Sequence, residues 1–198
     1  MITARQLLDR SSRVGGTLLL AAAVGCGSSR PARIPAPAID PAAIADAVAG
    51  SGGLEKLSAI AGGRGGMDGN GDGQVSRDEL AAWLEEIRES KVAITSVAVQ
   101  VTHLGRPLEG VDVKLVPDAS MGGTIKEAVA TTDASGVGSP TIPGGEFPGV
   151  NCGLYRVEIT GTGNDRKPLP AKYNAASTLS LAVGGMLPEN GMATIALK

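Results

Sequence analysis

At about residue 93 the hydrophobic period of this chain changes from helical to alternating, and that switch limits the folds open to it. Val97, Val99 and Val101 face one way along an extended segment, with Ala98, Gln100 and Thr102 facing the other. A turn at Leu104-Gly105-Arg106-Pro107 follows, and Val111, Val113 and Leu115 then alternate with Asp112 and Lys114. Val129 and Thr131 lead into a turn at Asp133-Ala134-Ser135-Gly136. Tyr155, Val157 and Ile159 alternate with Arg156 and Glu158; Leu179, Leu181 and Val183 form a further strand, and Ile195 with Leu197 the last. Residues two apart share one face of a strand, so short alternating runs between turns predict an antiparallel β-sandwich of the seven-strand type over 93–198. About 105 residues can bury an adequate core without disulfides.

Before the switch, residues 40–91 read as helical. Asp40-Pro41 places an N-cap acid before a proline at the first helical position. Ile44 and Val48 lie four apart, and Gly50 marks a stop. A second short helix carries Leu54, Leu57, Ile60 and Ala61 on one face, and the run Gly62-Gly63-Arg64-Gly65-Gly66 interrupts it. In a third helix Leu80, Trp83, Leu84 and Ile87 fall at i, i+3, i+4 and i+7. That apolar stripe places Trp83 in the core.

Between the second and third helices, Asp68 to Glu79 reads Asp-Gly-Asn-Gly-Asp-Gly-Gln-Val-Ser-Arg-Asp-Glu, a complete twelve-residue EF-hand loop. Ca²⁺ is a hard cation that takes six to eight oxygens. Asp68, Asn70 and Asp72 supply side-chain oxygens at positions 1, 3 and 5, and Gln74 its backbone carbonyl at position 7. Ser76 at position 9 acts through a water, and Glu79 at position 12 grips the ion with both oxygens. Gly73 stands at position 6, where the bend is expected to leave a Cβ no room. Val75 is the apolar residue expected to pair with a neighbouring loop. The Gly50-Ser51-Gly52-Gly53 turn sits where a first loop would, but it has no carboxylates and reads as a degenerate partner. Ser76 and Glu79 also fit a capping box, so calcium and the helix start compete for one carboxylate.

Residues 1–25 read as a signal peptide: Arg5, Arg10 and Arg13 precede an apolar run from Val14 to Gly25, too short to span a bilayer. The run ends Ala23-Val24-Gly25-Cys26, which is similar to a bacterial lipobox with Cys26 as the lipidated residue. Ala23 stands where such a box usually has Leu, and an ordinary leader cut nearby is the other reading. Residues 26–39, with Pro31, Pro35 and Pro37, form a tether that in extended form reaches roughly 40 Å. This order predicts an exported protein of the cell envelope, held by its lipid at a membrane facing the periplasm or exterior.

Composition excludes several functions. The net charge of −2 has no basic stripe behind it, which argues against nucleic acid. The four aromatic residues Trp83, Phe147, Tyr155 and Tyr173 are few for a sugar or base platform. With Cys26 acylated, Cys152 has no internal partner and reads as a small buried apolar residue. His103 is the single histidine, and a carboxypeptidase zinc centre needs two. No Gly-x-Ser-x-Gly elbow accompanies a serine, so His103 reads as a packed or edge residue. The basic segment 164–177 reads either as a binding site for an anionic polymer or as a crossover whose Tyr173 enters the core. Phe147 reads as a buried plug.

The calcium loop and the segments SKVAITSVAVQVT, GRPLEGVDVKLVP, TTDASGV, PGVNCGLYRVEIT and LPAKYNAASTL occur in that order. Over residues 40–198 they resemble bacterial envelope lipoproteins that join EF-hand helices to a carboxypeptidase-regulatory-like domain, a prealbumin-like sandwich related to CnaB modules. The resemblance implies a non-catalytic module. Some CnaB relatives also crosslink Lys to Asn through a nearby acid; Lys114 and Glu158 fill two of those parts, but the final strand offers no Asn. Together these readings give an α+β chain in two parts, a small helical EF-hand segment at 40–91 and an antiparallel β-sandwich at 93–198. Its expected function is a calcium-binding envelope lipoprotein, structural or interactive, with an envelope protein or polysaccharide as partner. The alternative is a saccharide- or peptide-binding module that uses the sandwich loops.

Overall fold

The computed structural model describes residues 34–61, 67–184 and 192–198, the side chains of 58–61 excepted. The leader, Cys26, the tether up to residue 33 and the break at Gly62 to Gly66 lie outside the described residues. Ile34–Lys198 forms one compact unit. Helix α1, Pro41–Gly50, starts as its sequence requires, with the Asp40 side chain accepting from the Ala43 N–H at 3.1 Å. Helix α2 is Gly53–Ala61, so only Ser51 and Gly52 link it to α1. That link is a tight turn, with Gly52 at φ 69°, and is far shorter than a calcium loop. Helix α3, Arg77–Ser90, buries Leu80, Trp83, Leu84 and Ile87 and ends on Lys91 at φ 54°. It packs on α1, where Arg77 Nε meets Asp46 Oδ1 at 2.8 Å.

Eight strands follow among the described residues: β1 Ala98–His103, β2 Arg106–Pro107, β3 Asp112–Pro117, β4 Ala128–Thr131, β5 Val137–Gly138, β6 Gly153–Thr160, β7 Ser180–Val183 and β8 Met192–Leu197. They make two four-stranded sheets, the second in the order β4-β3-β6-β7 and antiparallel throughout. The first is mixed: β1 pairs antiparallel with β2 and β5 but parallel with β8. Val101 accepts from Leu108 N–H and donates to Gly136 C=O, which puts β2 and β5 along one edge of β1 and leaves the other to β8. The expected all-antiparallel sandwich is therefore corrected at this one pairing. Alternation reports which face a strand buries, not the direction of its neighbour.

Inward residues of both sheets form the core, among them Val99, Val101, Val113, Leu115, Tyr155, Val157 and Ile159. The same hydrophobic cluster continues into the helices through Val48, Leu57, Leu80, Trp83, Leu84 and Ile87. Leu154 shows how. By parity it shares the outer face of β6 with Arg156 and Glu158, yet it is 3% exposed. It lines a small cavity of about 80 Å³ together with Val48, Gly53 and Leu57. The helices thus cover one end of the second sheet's outer face, and the rest of that face carries the Lys114–Glu127 and Arg156–Glu158 pairs, with Lys114, Arg156 and Glu158 half-buried.

Candidate calcium loop

The loop from Asp68 to Glu79 is anchored by apolar burial just before its start, at Met67 with 2% exposure, and within it, at Val75 with 3%. At its end the capping box is complete. Ser76 N–H donates to Glu79 Oε2 at 2.9 Å, and Glu79 N–H donates to Ser76 Oγ at 3.3 Å. The Ser76 hydroxyl adds a bond to the same Oε2 at 2.8 Å. Glu79 Oε1 meanwhile reaches across the loop to accept from Gly69 N–H at 3.1 Å and Asn70 N–H at 3.2 Å. One carboxylate therefore ties the beginning of the loop to its end.

The remaining side chains also turn toward the loop's own amides. Asp68 Oδ1 accepts from Gly71 N–H and Asp72 N–H, and its Oδ2 accepts from Gly73 N–H at 2.9 Å. Asn70 Oδ1 accepts from Asp72 N–H at 2.8 Å, while its Nδ2 donates to Asp72 Oδ2 at 3.1 Å. Asp72 Oδ1 accepts from Gln74 N–H at 2.8 Å. Gly73 sits at φ 81°, but a Cβ there would meet nothing within 4 Å. The expected clash is corrected: the left-handed backbone, not a crowded neighbour, asks for glycine.

Hydrogen bonds from Ser76, first its N–H and then its hydroxyl, hold the Glu79 carboxyl below its ordinary range, with Asn70 and Gly69 adding to the effect. The donor set is all oxygen, in the order that a hard cation such as calcium takes. Among the described residues, no three His, Cys, Asp or Glu side chains stand together as a ready metal cluster. The loop has the right ligand types, spent on its own backbone. The reach of Glu79 to Gly69 and Asn70 is not contained in the capping-box pattern. Its signal in the sequence is the loop's position 12, which must cross to the start to close the ring.

The other singled-out residues are placed as follows. His103 is 7% exposed at the end of β1, its Nδ1 accepting from Asn164 N–H at 3.0 Å. Asn164, which sequence reading did not single out, also donates through Nδ2 to His103 C=O at 3.0 Å. Cys152 is buried, and that burial pushes its thiol pKa up. Lys114 lies opposite Glu158 in register but pairs with Glu127 at 2.9 Å. Tyr173 is buried at 7%, in a crossover between β6 and β7. Phe147 is 41% exposed, so its reading as a buried plug is corrected: it sits in the loop before Pro148, outside the core. A cleft of about 350 Å³ beside that loop is lined by Ser96, Val97, Ala98, Pro140, Pro148 and neighbours, without a titratable side chain.

No family model matches this chain, and no curated protein does. Among solved structures it is similar to BcpA, the major pilin subunit of Bacillus cereus, with 16% identity and a TM-score of 0.29 over 52% of this chain. A variant of the same pilin gives 13% identity and a TM-score of 0.33 over 53% of this chain. In both cases the match spans 29% of the pilin's length.

Proposed function

We propose that this chain is a non-catalytic, calcium-binding envelope lipoprotein whose sandwich serves as a structural or interaction module at a membrane surface. The observation that carries the reading is Glu79, which already joins Gly69 and Asn70 at the loop's start to Ser76 at its end. Asp68, Asn70, Asp72, the Gln74 carbonyl and Glu79 would hold the ion, with Ser76 acting through a water. Bound calcium would supply a divalent charge that fastens the loop's ends more firmly than amides can. To let it in, Glu79 must release Ser76, so helix start and ion draw on one carboxylate. An affinity of ~10⁻⁴–10⁻³ M is expected for an exported site. The leader and lipobox-like Cys26 support export and anchoring, and the ordered sandwich motifs support a carboxypeptidase-regulatory-like domain of the prealbumin and CnaB type. The bond that His103 Nδ1 accepts from Asn164 N–H supports reading this histidine as a packed residue.

The test is a calcium titration of the chain followed by fluorescence of Trp83, four residues beyond Glu79 on the buried face of α3, with calorimetry on the same sample. A saturable change that Glu79→Gln abolishes supports the reading. Silence in both measurements sinks calcium as a ligand. The exposed Phe147 beside the cleft favours a second reading, a saccharide- or peptide-binding module. Glycan and peptide arrays that stay blank would remove it.

A further inference from the structure

Strand β8 lies at a sheet edge, paired with β1 and with no other described strand. Main-chain N–H and C=O groups of successive strand residues point to opposite sides in the plane of the sheet. Leu197 C=O accepts from Leu104 N–H at 3.3 Å, so Leu197, Ile195 and Ala193 turn their groups toward β1. Met192, Thr194, Ala196 and Lys198 turn theirs away. At Lys198 the outer edge is covered. Tyr173 Oη accepts from Lys198 N–H at 2.8 Å and donates to Lys198 C=O, to which Lys172 Nζ donates at 3.3 Å. The tyrosine hydroxyl thus stands in for the main chain of a neighbouring strand.

Thr194 and Ala196 are exposed and have no such cover among the described residues. Proteins usually blunt a free edge with Lys, Pro, a bulge or an overlying element. Met192–Leu197 reads Met-Ala-Thr-Ile-Ala-Leu, with no charge, Gly or Pro. The other edges are guarded or short: β7 has four residues and is met by α2, β4 is bridged by Thr141 at Val129, and β2 and β5 have two residues each.

We propose that β8 is the pairing edge for a second copy of this chain, which joins the two first sheets into one continuous sheet across a two-fold axis. The register is antiparallel and centred on Thr194, so that Thr194 faces Thr194 of the second copy and Met192 faces its Ala196. This pairing uses the outward groups left open and stops short of Lys198, whose groups Tyr173 already holds. An uncharged strand brings no like charges together when set against itself, and directly opposed threonines are a favourable cross-strand pair. A two-fold contact needs one self-complementary patch, and this edge is one.

Sedimentation velocity of the full chain over a concentration series tests the proposal. Wild type is expected to dimerise. Thr194→Pro removes an N–H that faces away from β1, at the kind of edge position where proline is tolerated. Both hydrogen bonds of the central pair are lost, so the dissociation constant should rise by about 10–100-fold with the far-UV CD spectrum unchanged. If the proline variant fails to fold, Thr194→Lys places two like charges at the axis and should weaken the dimer likewise. A wild type that stays monomeric overturns the proposal. So does association that neither folded variant weakens, which would place the contact elsewhere, including the apolar run before Cys26.

Discussion

Glu79 Oε2 accepts from both the N–H and the hydroxyl of Ser76, at 2.9 and 2.8 Å, so the carboxylate that would clamp calcium is also the one that starts α3. The loop and the helix are therefore not separate features joined end to end. The buried stripe of Leu80, Trp83, Leu84 and Ile87 begins at the residue that follows Glu79.

Acid should loosen this start. The Glu79 pKa is lowered in the folded chain from its ordinary 4.5, so its contribution to stability is present above that value and is lost as the pH falls through the lowered folded value. Asp133, held below its ordinary 3.8 by the Ser135 hydroxyl and the Val137 N–H, acts in the same sense but only at more acid pH. Melting curves taken from neutral pH into acid should show a falling melting temperature below the ordinary glutamate range. Glu79→Gln should be less stable at neutral pH and lose part of that acid dependence. An unchanged acid slope in the variant would show that Glu79 contributes nothing to it.

Leu154→Ala should report on the joint between helices and sheet. The side chain is buried on a face that the strand pattern would leave to solvent, under residues of α1 and α2. Removing it should destabilise the chain by about 2–5 kcal/mol. Because one hydrophobic cluster spans both parts, Trp83 fluorescence and far-UV CD should shift to the same lower denaturant midpoint. Separate midpoints for the two signals would show that the helices unfold on their own.

Two glycines with similar backbones should respond differently to alanine. Gly73 at φ 81° has open space around it, so Gly73→Ala meets only the left-handed strain, about 1–2 kcal/mol. At Gly136, φ 73°, a Cβ would lie 2.5 Å from Val101 O and 2.9 Å from Leu108 N, both backbone atoms. Gly136→Ala must therefore also pry β1 from the turn before β5, and its loss in urea denaturation should exceed that of Gly73→Ala. Equal losses would mean that the turn gives way without disturbing β1.

Much of this architecture was legible in single residues. Asp40-Pro41 fixed the start of α1, the Leu80–Ile87 stripe the buried face of α3, and the alternations around Val99, Val113 and Val157 their inward faces. The two-residue strands β2 and β5 are too short to show any period. On β4 the alternation carried little signal, because the inward residue is the small Ala128 while the larger Val129 is 40% exposed. Leu154 carried the missed signal for helix docking, as an apolar residue at an outward parity. Within the loop, the oxygen-bearing side chains and the left-handed Gly73 could be read from spacing. The hydrogen bonds those side chains hold could not, because spacing gives a residue's place in a loop and not the partner its oxygens find.

The parallel pairing of β1 with β8 sets how the first sheet bears a mechanical load. Six residue pairs, Ala98 with Met192 through His103 with Leu197, run side by side in the same direction. A pull between the start of β1 and the end of β8 draws the two strands past each other lengthwise. All of their rungs are then stretched at once, in shear, and none can open ahead of the rest as the teeth of a zipper do.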